Sequence, residues 1–262
     1  MPQSEPSNIY ERFGVTAMAD EGIRPGGLKL TARALDFCRF PPRSAVLDVG
    51  CGNGVTVDYL RTEHDLWAFG IDASHVLAAI AQRRRIPIPL AIGTAEKLPF
   101  PDNAFDGLFL ECTLSLLKDR NAVLAECHRV VRTGGKIVVT DVHVRNPAGL
   151  AGLGKLPSTS CLRGAEVRSV LQDRVHAAGF EIELWEDHSE LLKEFAIEIV
   201  WTMGSMGAFW GLAGDQGINR DVIGDVIRRA RPGYHMLIGQ KTDTHRSGHL
   251  WALPACGAKD CP

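Results

Sequence analysis

Three glycines and one acid form the strongest chemical signal in the sequence. Residues 46–54 read Val-Leu-Asp-Val-Gly-Cys-Gly-Asn-Gly, which is typical of a buried strand that turns directly into a helix. Gly50, Gly52 and Gly54 allow a sharp turn and let the backbone approach a ligand without a Cβ in the way. The pattern therefore predicts a cofactor-binding turn, and its spacing indicates the class of cofactor.

The acid and the spacing distinguish between two classes of cofactor. A dinucleotide-binding G-x-G-x-x-G turn starting at Gly50 needs a third glycine at position 55, where this chain has Val55. The carboxylate of Asp48 would repel a pyrophosphate, but it would attract the ammonium and sulfonium groups of S-adenosyl-L-methionine. Asp72, 18 residues after Gly54, follows the second predicted strand, where an acid can bind a ribose diol. We therefore expect S-adenosyl-L-methionine and disfavour a hydride-transferring dehydrogenase.

Further segments, in the expected order, resemble the class I S-adenosylmethionine-dependent methyltransferases, in particular the type 11-like group. Residues 93–106 are similar to the third-strand loop that cradles adenine, and residues 131–137 are similar to the turn into the fifth strand. Thr94 stands where the family usually has Asp, so its contact with adenine would lack charge. The resemblance implies a methyltransferase whose cofactor-binding positions are Asp48, Gly50, Cys51, Gly52, Gly54, Asp72, Ala73, Thr94, Ala95, Glu96 and Glu111.

The methyl acceptor has to be sought outside the cofactor motifs. Methyl transfer from a sulfonium is an in-line displacement with a neutral leaving group, so the protein positions, desolvates and, where necessary, deprotonates the acceptor. His143, which follows the fifth predicted strand, is the candidate general base if an O–H or N–H group is methylated. An ordinary small-molecule acceptor is one of two alternatives for this site.

Two cysteines suggest the other alternative. Cys112 follows the fourth predicted strand, and Cys161 lies in a Cys-Leu-Arg-Gly-Ala segment. The pair resembles the arsenite methyltransferases, whose thiolates hold trivalent arsenic, a soft ion suited to sulfur ligands. Two features depart from that family, since no matching cysteine precedes Cys38 and the C-terminal region differs. The same cysteines are also compatible with a role as small buried hydrophobic residues.

Alternating β-branched runs and helical patterns predict an α/β fold. Strands are predicted at 45–49, 66–71, 89–92, 105–111, 136–141, 181–185 and 234–240, and helices at 54–62, 74–84, 121–131 and 165–178. Strands separated by helices form a parallel sheet with right-handed crossovers. The family resemblance implies a Rossmann-like seven-stranded sheet with its last strand antiparallel, helices on both faces, and a helical insertion before the last strand.

The chain divides into three predicted regions. Residues 1–43 form a helical segment that covers the cofactor site, and residues 44–241 form the methyltransferase domain. The insertion at 187–232 is rich in aromatic residues and methionine. Three interpretations are open: helices that pack in the core, a lid over the substrate, or a dimer surface. Residues 242–262 are predicted to be a flexible tail. The cysteines and histidines of this tail fit no standard zinc spacing, so no metal site is expected.

Bulk composition excludes several partners. The 262 residues carry a formal net charge of -2, so the sequence predicts binding neither to nucleic acid nor to an anionic membrane. There is no apolar run of bilayer length and no secretion signal, and the seven scattered cysteines suit reduced thiols, so we expect a cytoplasmic protein. The expected partner is a small-molecule or metalloid acceptor, and a homodimer is left open. A non-catalytic S-adenosylmethionine-binding accessory protein is the alternative function.

Overall fold

The computed structural model describes residues 9–14, 22, 24–83, 87–157, 160–212 and 220–242. The predicted tail, apart from Thr242, lies outside the described residues, together with Cys256 and Cys261. None of the described helices is both long enough and apolar enough to cross a lipid bilayer.

A single mixed sheet forms the centre of the described structure. Its strands are β1 (Ala45–Val49), β2 (Trp67–Asp72), β3 (Leu90–Ile92), β4 (Phe105–Glu111), β5 (Val131–Val144), β6 (Glu166–Val167), β7 (Phe180–Asp187) and β8 (Pro232–Lys241). Seven strands run in the order β3-β2-β1-β4-β5-β8-β7, and β6 pairs with β5. The pairs from β3 to β5 are parallel, whereas β8 is antiparallel to both neighbours. The predicted Rossmann-like sheet with an antiparallel last strand is confirmed.

Helices connect these strands and lie on both faces of the sheet. They are α1 (Ile9–Gly14), α2 (Leu28–Cys38), α3 (Val55–Thr62), α4 (His75–Ala81), α5 (Arg120–Val130), α6 (Leu150–Leu153), α7 (Arg168–Ala177), α8 (Ser189–Met203), α9 (Met206–Gly211) and α10 (Arg220–Ala230). Short 3₁₀ turns occur at Leu114–Leu116, Pro147–Gly149 and Cys161–Gly164. Helices α8, α9 and α10 fall within the predicted insertion.

The two faces of the sheet bury two separate apolar clusters. Successive residues of a strand point to opposite faces. Leu47 accordingly packs in the cluster that includes α5 and α7, whereas Val46 packs in the cluster that includes α2, α3 and α4. Both side chains are fully buried. Replacing a fully buried leucine by alanine typically costs about 2–5 kcal/mol, so these clusters hold the strand ends rigidly.

The elements differ from their predicted bounds mainly around β5. Helix α5 ends at Val130, one residue before its predicted end, because Val131 is extended and pairs with Phe105. At its other end β5 continues to Val144, where it pairs with β6 as well as β8. The helix predicted at 165–178 is wrong at its start, because Glu166–Val167 pairs with β5 as the short strand β6 and the helix covers only Arg168–Ala177.

Candidate functional site

A cavity of about 350 Å³ lies at the carboxyl ends of β1, β2 and β4. Parallel strands direct their carboxyl ends to one edge of the sheet, where ligands of such folds bind. This larger cavity is lined by the turn after β1, the ends of β2 and β4, and four residues from the N-terminal segment, namely Tyr10, Glu11, Gly22 and Arg24.

The glycine turn forms one wall of the larger cavity. Gly50 and Gly54 have φ angles of 76° and 78°, in the left-handed region that favours glycine. A Cβ on Gly50 would also overlap the side chain of Thr113. The turn is fixed by hydrogen bonds, since the backbone N–H groups of Gly50 and Cys51 both donate to the carbonyl of Ile71. The backbone of this wall therefore faces the cavity directly.

Asp72 lies where the second strand meets the glycine turn. Its two carboxylate oxygens accept hydrogen bonds from the backbone N–H groups of Gly52 (2.8 Å) and Ser74 (2.7 Å). Burial raises the pKa of this carboxyl above its ordinary value, and the N–H donors oppose that shift. The hydroxyl of Ser74 accepts from the Leu77 N–H, which caps α4, and donates to Glu11 Oε1 at 2.6 Å. Helix α1 is thereby attached to the part of the cavity wall around Asp72, where the sequence predicts that a ribose binds.

A buried ion pair forms another part of the cavity wall. Glu111 Oε1 accepts a hydrogen bond from Thr31 (2.8 Å), and Oε2 accepts one from Thr56 (2.7 Å). Oε2 also lies 3.0 Å from Arg24 Nη2. Removing one partner of such a buried pair typically costs about 3–5 kcal/mol, because the other charge is left uncompensated. This network joins the N-terminal segment to β4 and α3.

Asp48 lies beneath this wall and is itself buried. Burial raises the pKa of its carboxyl well above the ordinary value, the charge of Glu111 raises it further, and Arg24 lowers it. Burial lowers the pKa of Arg24, but the neighbouring charges of Glu111 and Asp48 outweigh it, so the net shift is upward. The guanidinium therefore remains charged and offsets two neighbouring acids.

The predicted cofactor-binding residues divide into two groups. Those that line the larger cavity are Gly50, Cys51, Gly52, Asp72, Ala73, Ala95 and Glu111. The other four predicted positions do not line it. Asp48 lies behind the wall, Gly54 packs against Ile88 and Ala81, Thr94 is exposed and Glu96 is half-buried. Gly93, adjacent to Thr94, is part of the lining instead.

A second, smaller cavity of about 150 Å³ lies beside the first. Helix α8 contributes Leu192, Phe195 and Ile199 to its wall, and α9 contributes Met206, Phe209 and Trp210. No charged side chain is found among the described residues that line it. Tyr10 and Cys112 line both cavities, so these two residues form their common boundary.

Both candidate substrate cysteines line the smaller cavity. Cys112 has a φ of 54°, which is uncommon for a residue other than glycine, and its Sγ lies 3.0 Å from Tyr234 Oη. The backbone N–H of Cys161 donates to Tyr10 Oη at 3.2 Å. Burial raises the pKa of Cys112 well above its ordinary value and that of Cys161 to about 11. Both are therefore neutral thiols at pH 7.

His143 lies apart from both cavities. Val142 lines the smaller cavity, and because strand residues alternate, His143 points to the opposite face of β5. Its ring centroid lies 5.4 Å from that of His235 and 5.7 Å from the Trp185 ring, and Nε2 is 4.0 Å from Asp187 Oδ2. The structure thus does not bring the candidate base together with the two cysteines.

Several site residues have no signal in the sequence. Tyr10, Glu11 and Arg24 come from a segment that was predicted only as a cover, and no motif marks them individually. Tyr234 lies on β8, and its hydroxyl donates to Thr140 Oγ1 at 3.3 Å. Within the described parts of the chain, no cluster of three or more histidine, cysteine or acidic side chains could hold a metal ion.

Comparisons with known proteins identify the family. Residues 47–139 match the family model described as a methyltransferase domain. The chain is also 31% identical, over 172 residues, to a demethylmenaquinone methyltransferase of Corynebacterium urealyticum, covering 63% of this chain and 70% of that protein. The chain belongs to the class I S-adenosylmethionine-dependent methyltransferases. The matched residues 47–139 include the glycine turn and Asp72.

Other methyltransferases are similar over different lengths. Phosphoethanolamine N-methyltransferase 3 of Arabidopsis thaliana is 29% identical over 194 residues, which is 69% of this chain but only 37% of that protein. The chain therefore spans little more than a third of that relative. A solved structure of Haemonchus contortus phosphoethanolamine N-methyltransferase 2, with phosphomonomethylethanolamine and S-adenosylhomocysteine, has a TM-score of 0.69 at 19% identity. The superposition covers 92% of this chain and 59% of the Haemonchus contortus chain. At this identity the similarity supports the fold alone.

Proposed function

We propose that the protein transfers a methyl group from S-adenosyl-L-methionine to a small-molecule acceptor, with the cofactor in the larger cavity and the acceptor in the smaller one. The observation that supports this assignment is the common boundary at Cys112 and Tyr10. An in-line displacement requires donor and acceptor to be in contact, and two adjoining cavities satisfy that requirement.

The chain's residues suit the chemical groups of this cofactor. S-adenosyl-L-methionine supplies a methyl group on a positively charged sulfur. Each carboxylate oxygen of Asp72, at the end of β2, accepts one backbone N–H and has a second lone pair that can accept a hydrogen bond from a ribose diol. Glu111 lines the cavity and can attract the cationic groups of the cofactor, and the buried Asp48 lies behind it. The volume of the larger cavity is within the range of small-molecule sites.

The smaller cavity favours an uncharged acceptor. A charged group that entered an apolar wall would lose its hydration without gaining a partner, which is strongly unfavourable. The phosphate of phosphoethanolamine, the substrate class in the names of several relatives, would meet no cation on the described wall. We therefore assign the acceptor to neutral, largely apolar molecules.

The smaller cavity also favours an acceptor that needs no strong base. Several described residues that line this cavity have polar side chains, and these side chains are neutral at pH 7. They include Tyr10, Cys112, Ser160 and Cys161. His143, the candidate base, points to the other face of the sheet. An acceptor atom with an available lone pair would need only positioning and desolvation by the cavity wall.

A trivalent metalloid such as arsenite is the second candidate acceptor. It is favoured because Cys112 and Cys161 line the same apolar cavity. Each neutral thiol can condense with one As–OH group, so that an S–As bond forms and the thiol proton leaves with the hydroxide as water. The lone pair on trivalent arsenic is then the nucleophile, and no general base is required. Sulfur is the preferred ligand type for such a soft centre.

Binding and turnover measurements test the proposal in two stages. Isothermal titration with S-adenosylmethionine comes first, followed by a screen for S-adenosylhomocysteine release with neutral hydroxy, amino and thiol compounds, phosphoethanolamine, arsenite and methylarsenite. We expect cofactor binding and turnover with at least one neutral acceptor. Binding without any product would support the accessory protein, and turnover with phosphoethanolamine alone would contradict the neutral-acceptor assignment.

Cysteine variants separate the two acceptor classes. Cys112→Ser and Cys161→Ser are compared with Cys38→Ala, which removes a thiol on α2 that lines neither cavity. If the metalloid is the substrate, both serine variants lose arsenite methylation while Cys38→Ala retains it. Full rates in both serine variants, or no arsenite methylation by the wild type, would exclude the metalloid.

A further inference from the structure

Arg24 carries the only positive charge among the described residues that line the larger cavity. The acids that line the same cavity are Glu11, Asp72 and Glu111. The cofactor proposed for this cavity carries two cationic groups but also one anion, the α-carboxylate of its methionine part. An anion in this acidic, partly enclosed site needs a specific cationic partner, because unpaired burial of a charge is costly.

The three side-chain nitrogens of Arg24 have different neighbours. Nε donates to the carbonyl of Gly27 at 3.1 Å, and Nη2 donates to Thr31 Oγ1 and pairs with Glu111, each at 3.0 Å. These contacts hold the plane of the guanidinium in one orientation. Nη1 lies beside Gly22, since a Cβ built on Gly22 would be 3.3 Å from it. Gly22 itself lines the cavity, so this end of the guanidinium is at the cavity wall.

We propose that Arg24 binds the α-carboxylate of the cofactor and thereby selects ligands that carry the complete amino acid. The inference rests on the proposed function, because it assumes that the cofactor occupies the larger cavity. A guanidinium held by Glu111, Thr31 and Gly27 is oriented before the ligand arrives, so it forms a charge-assisted hydrogen bond without further ordering. Arg24 is then a positioning residue that sets the methionine part against the glycine turn.

A simpler role for Arg24 would be only to neutralise Glu111 and Asp48. The two roles differ in one measurable respect. A guanidinium that binds the ligand carboxylate affects only ligands that have one, whereas a guanidinium that merely neutralises acids affects every ligand of the cavity alike. Two ligands that differ in this group alone therefore distinguish between the roles.

The test compares S-adenosylhomocysteine with its decarboxylated analogue, S-adenosyl-3-thiopropylamine, by isothermal titration. Hydrogen bonds to charged groups contribute about 1.5–3 kcal/mol, so the wild type should bind S-adenosylhomocysteine about 10- to 100-fold more tightly than the analogue. Arg24→Gln should remove most of that preference by weakening only the carboxylate ligand, and Arg24→Lys should keep part of it. Arg33→Gln, which removes another acid-paired arginine of the N-terminal region, is the matched control and should keep the full preference.

The outcomes separate this inference from the proposed function. If the wild type binds neither ligand, the proposed function fails. If S-adenosylhomocysteine binds but Arg24→Gln keeps the preference, or loses affinity equally for both ligands, the assignment of Arg24 is wrong. Circular dichroism and thermal unfolding check that each variant is folded. Should Arg24→Gln not fold, the Arg24→Gln/Glu111→Gln double variant removes the uncompensated acid and is tested against Glu111→Gln alone.

Discussion

The two cavities differ in how their walls are built. The larger cavity is bordered by backbone turns at strand ends and by acids with fixed hydrogen-bond partners. The smaller cavity is bordered mainly by apolar side chains, and those from α8 and α9 are distant in sequence from those turns. A wall of backbone and charge suits one ligand of defined chemistry, whereas an apolar wall selects by shape and size. The methyl donor can thus be read from local motifs, but the acceptor cannot.

The largest expected effect concerns the backbone wall. Gly50→Val should weaken S-adenosylhomocysteine binding by about 100-fold or more, because the new side chain is strained at positive φ and overlaps Thr113. Gly134→Val is the matched control, since Gly134 also has a positive φ (75°) but a Cβ there would meet nothing within 4 Å. Isothermal titration gives the affinities. Equal losses in both variants would mean that backbone strain alone, and not the cavity wall, is responsible.

The next effect concerns the apolar wall. Ile199→Trp should reduce kcat/KM for the acceptor by about tenfold or more, which corresponds to about 1.4 kcal/mol, because the larger side chain occupies space proposed for the acceptor. Affinity for S-adenosylhomocysteine should stay the same. Ile197→Trp on the same helix is the control, since Ile197 is 68% exposed and its substitution should leave both quantities unchanged. A loss of S-adenosylhomocysteine affinity in Ile199→Trp alone would show that the two walls are not independent.

A third region, the pair His143 and His235, lies outside both cavities and should make the free energy of unfolding depend on pH. Burial lowers the pKa of His143, and burial together with the neighbouring His143 lowers that of His235 well below its ordinary value. Below the ordinary histidine pKa of about 6.5, the unfolded chain therefore binds more protons than the native state. The free energy of unfolding thus decreases as the pH falls below that value. Urea unfolding from pH 8 to 5 should show a decline that is smaller in His235→Gln than in the wild type.

The smallest expected effect is on turnover in His143→Gln. Because the ring faces away from the acceptor cavity, kcat should change by no more than about twofold, well below the roughly 100-fold loss expected for removal of a general base. Steady-state release of S-adenosylhomocysteine measures this rate. A 100-fold decrease, together with an altered pH profile, would instead identify His143 as the base.

Local spacing was sufficient to predict the parts of the site that depend on adjacent residues. The turn at 50–54, Asp72 at the end of the second strand and the helix predicted to begin at residue 74 all follow from a few neighbouring positions. The sheet and its antiparallel last strand were predicted from the same regular alternation and the resemblance to the family. In each case the physical cause, whether a tight turn or a helix cap, acts over a short stretch of chain.

Long-range packing decided what could not be predicted. Arg24 meets Glu111 only because the N-terminal segment crosses the end of β4, and no local pattern encodes that contact. The strand predicted to end at 141 continues to Val144, so residue 143 obeys strand alternation and lies on the far face. Cys112 and Cys161 share a cavity through the packing of α8 and α9 over the sheet edge, which sequence spacing alone does not reveal.

The boundary formed by Tyr10 and Cys112 has a thermodynamic consequence. A ligand in one cavity that moves either side chain changes the space available in the other, so the two binding equilibria are coupled through a shared wall. Coupling of this kind is reciprocal, because the factor by which one ligand alters the affinity for the second equals the factor by which the second alters the affinity for the first. Measuring either ligand's affinity with and without the other therefore reports on both cavities at once.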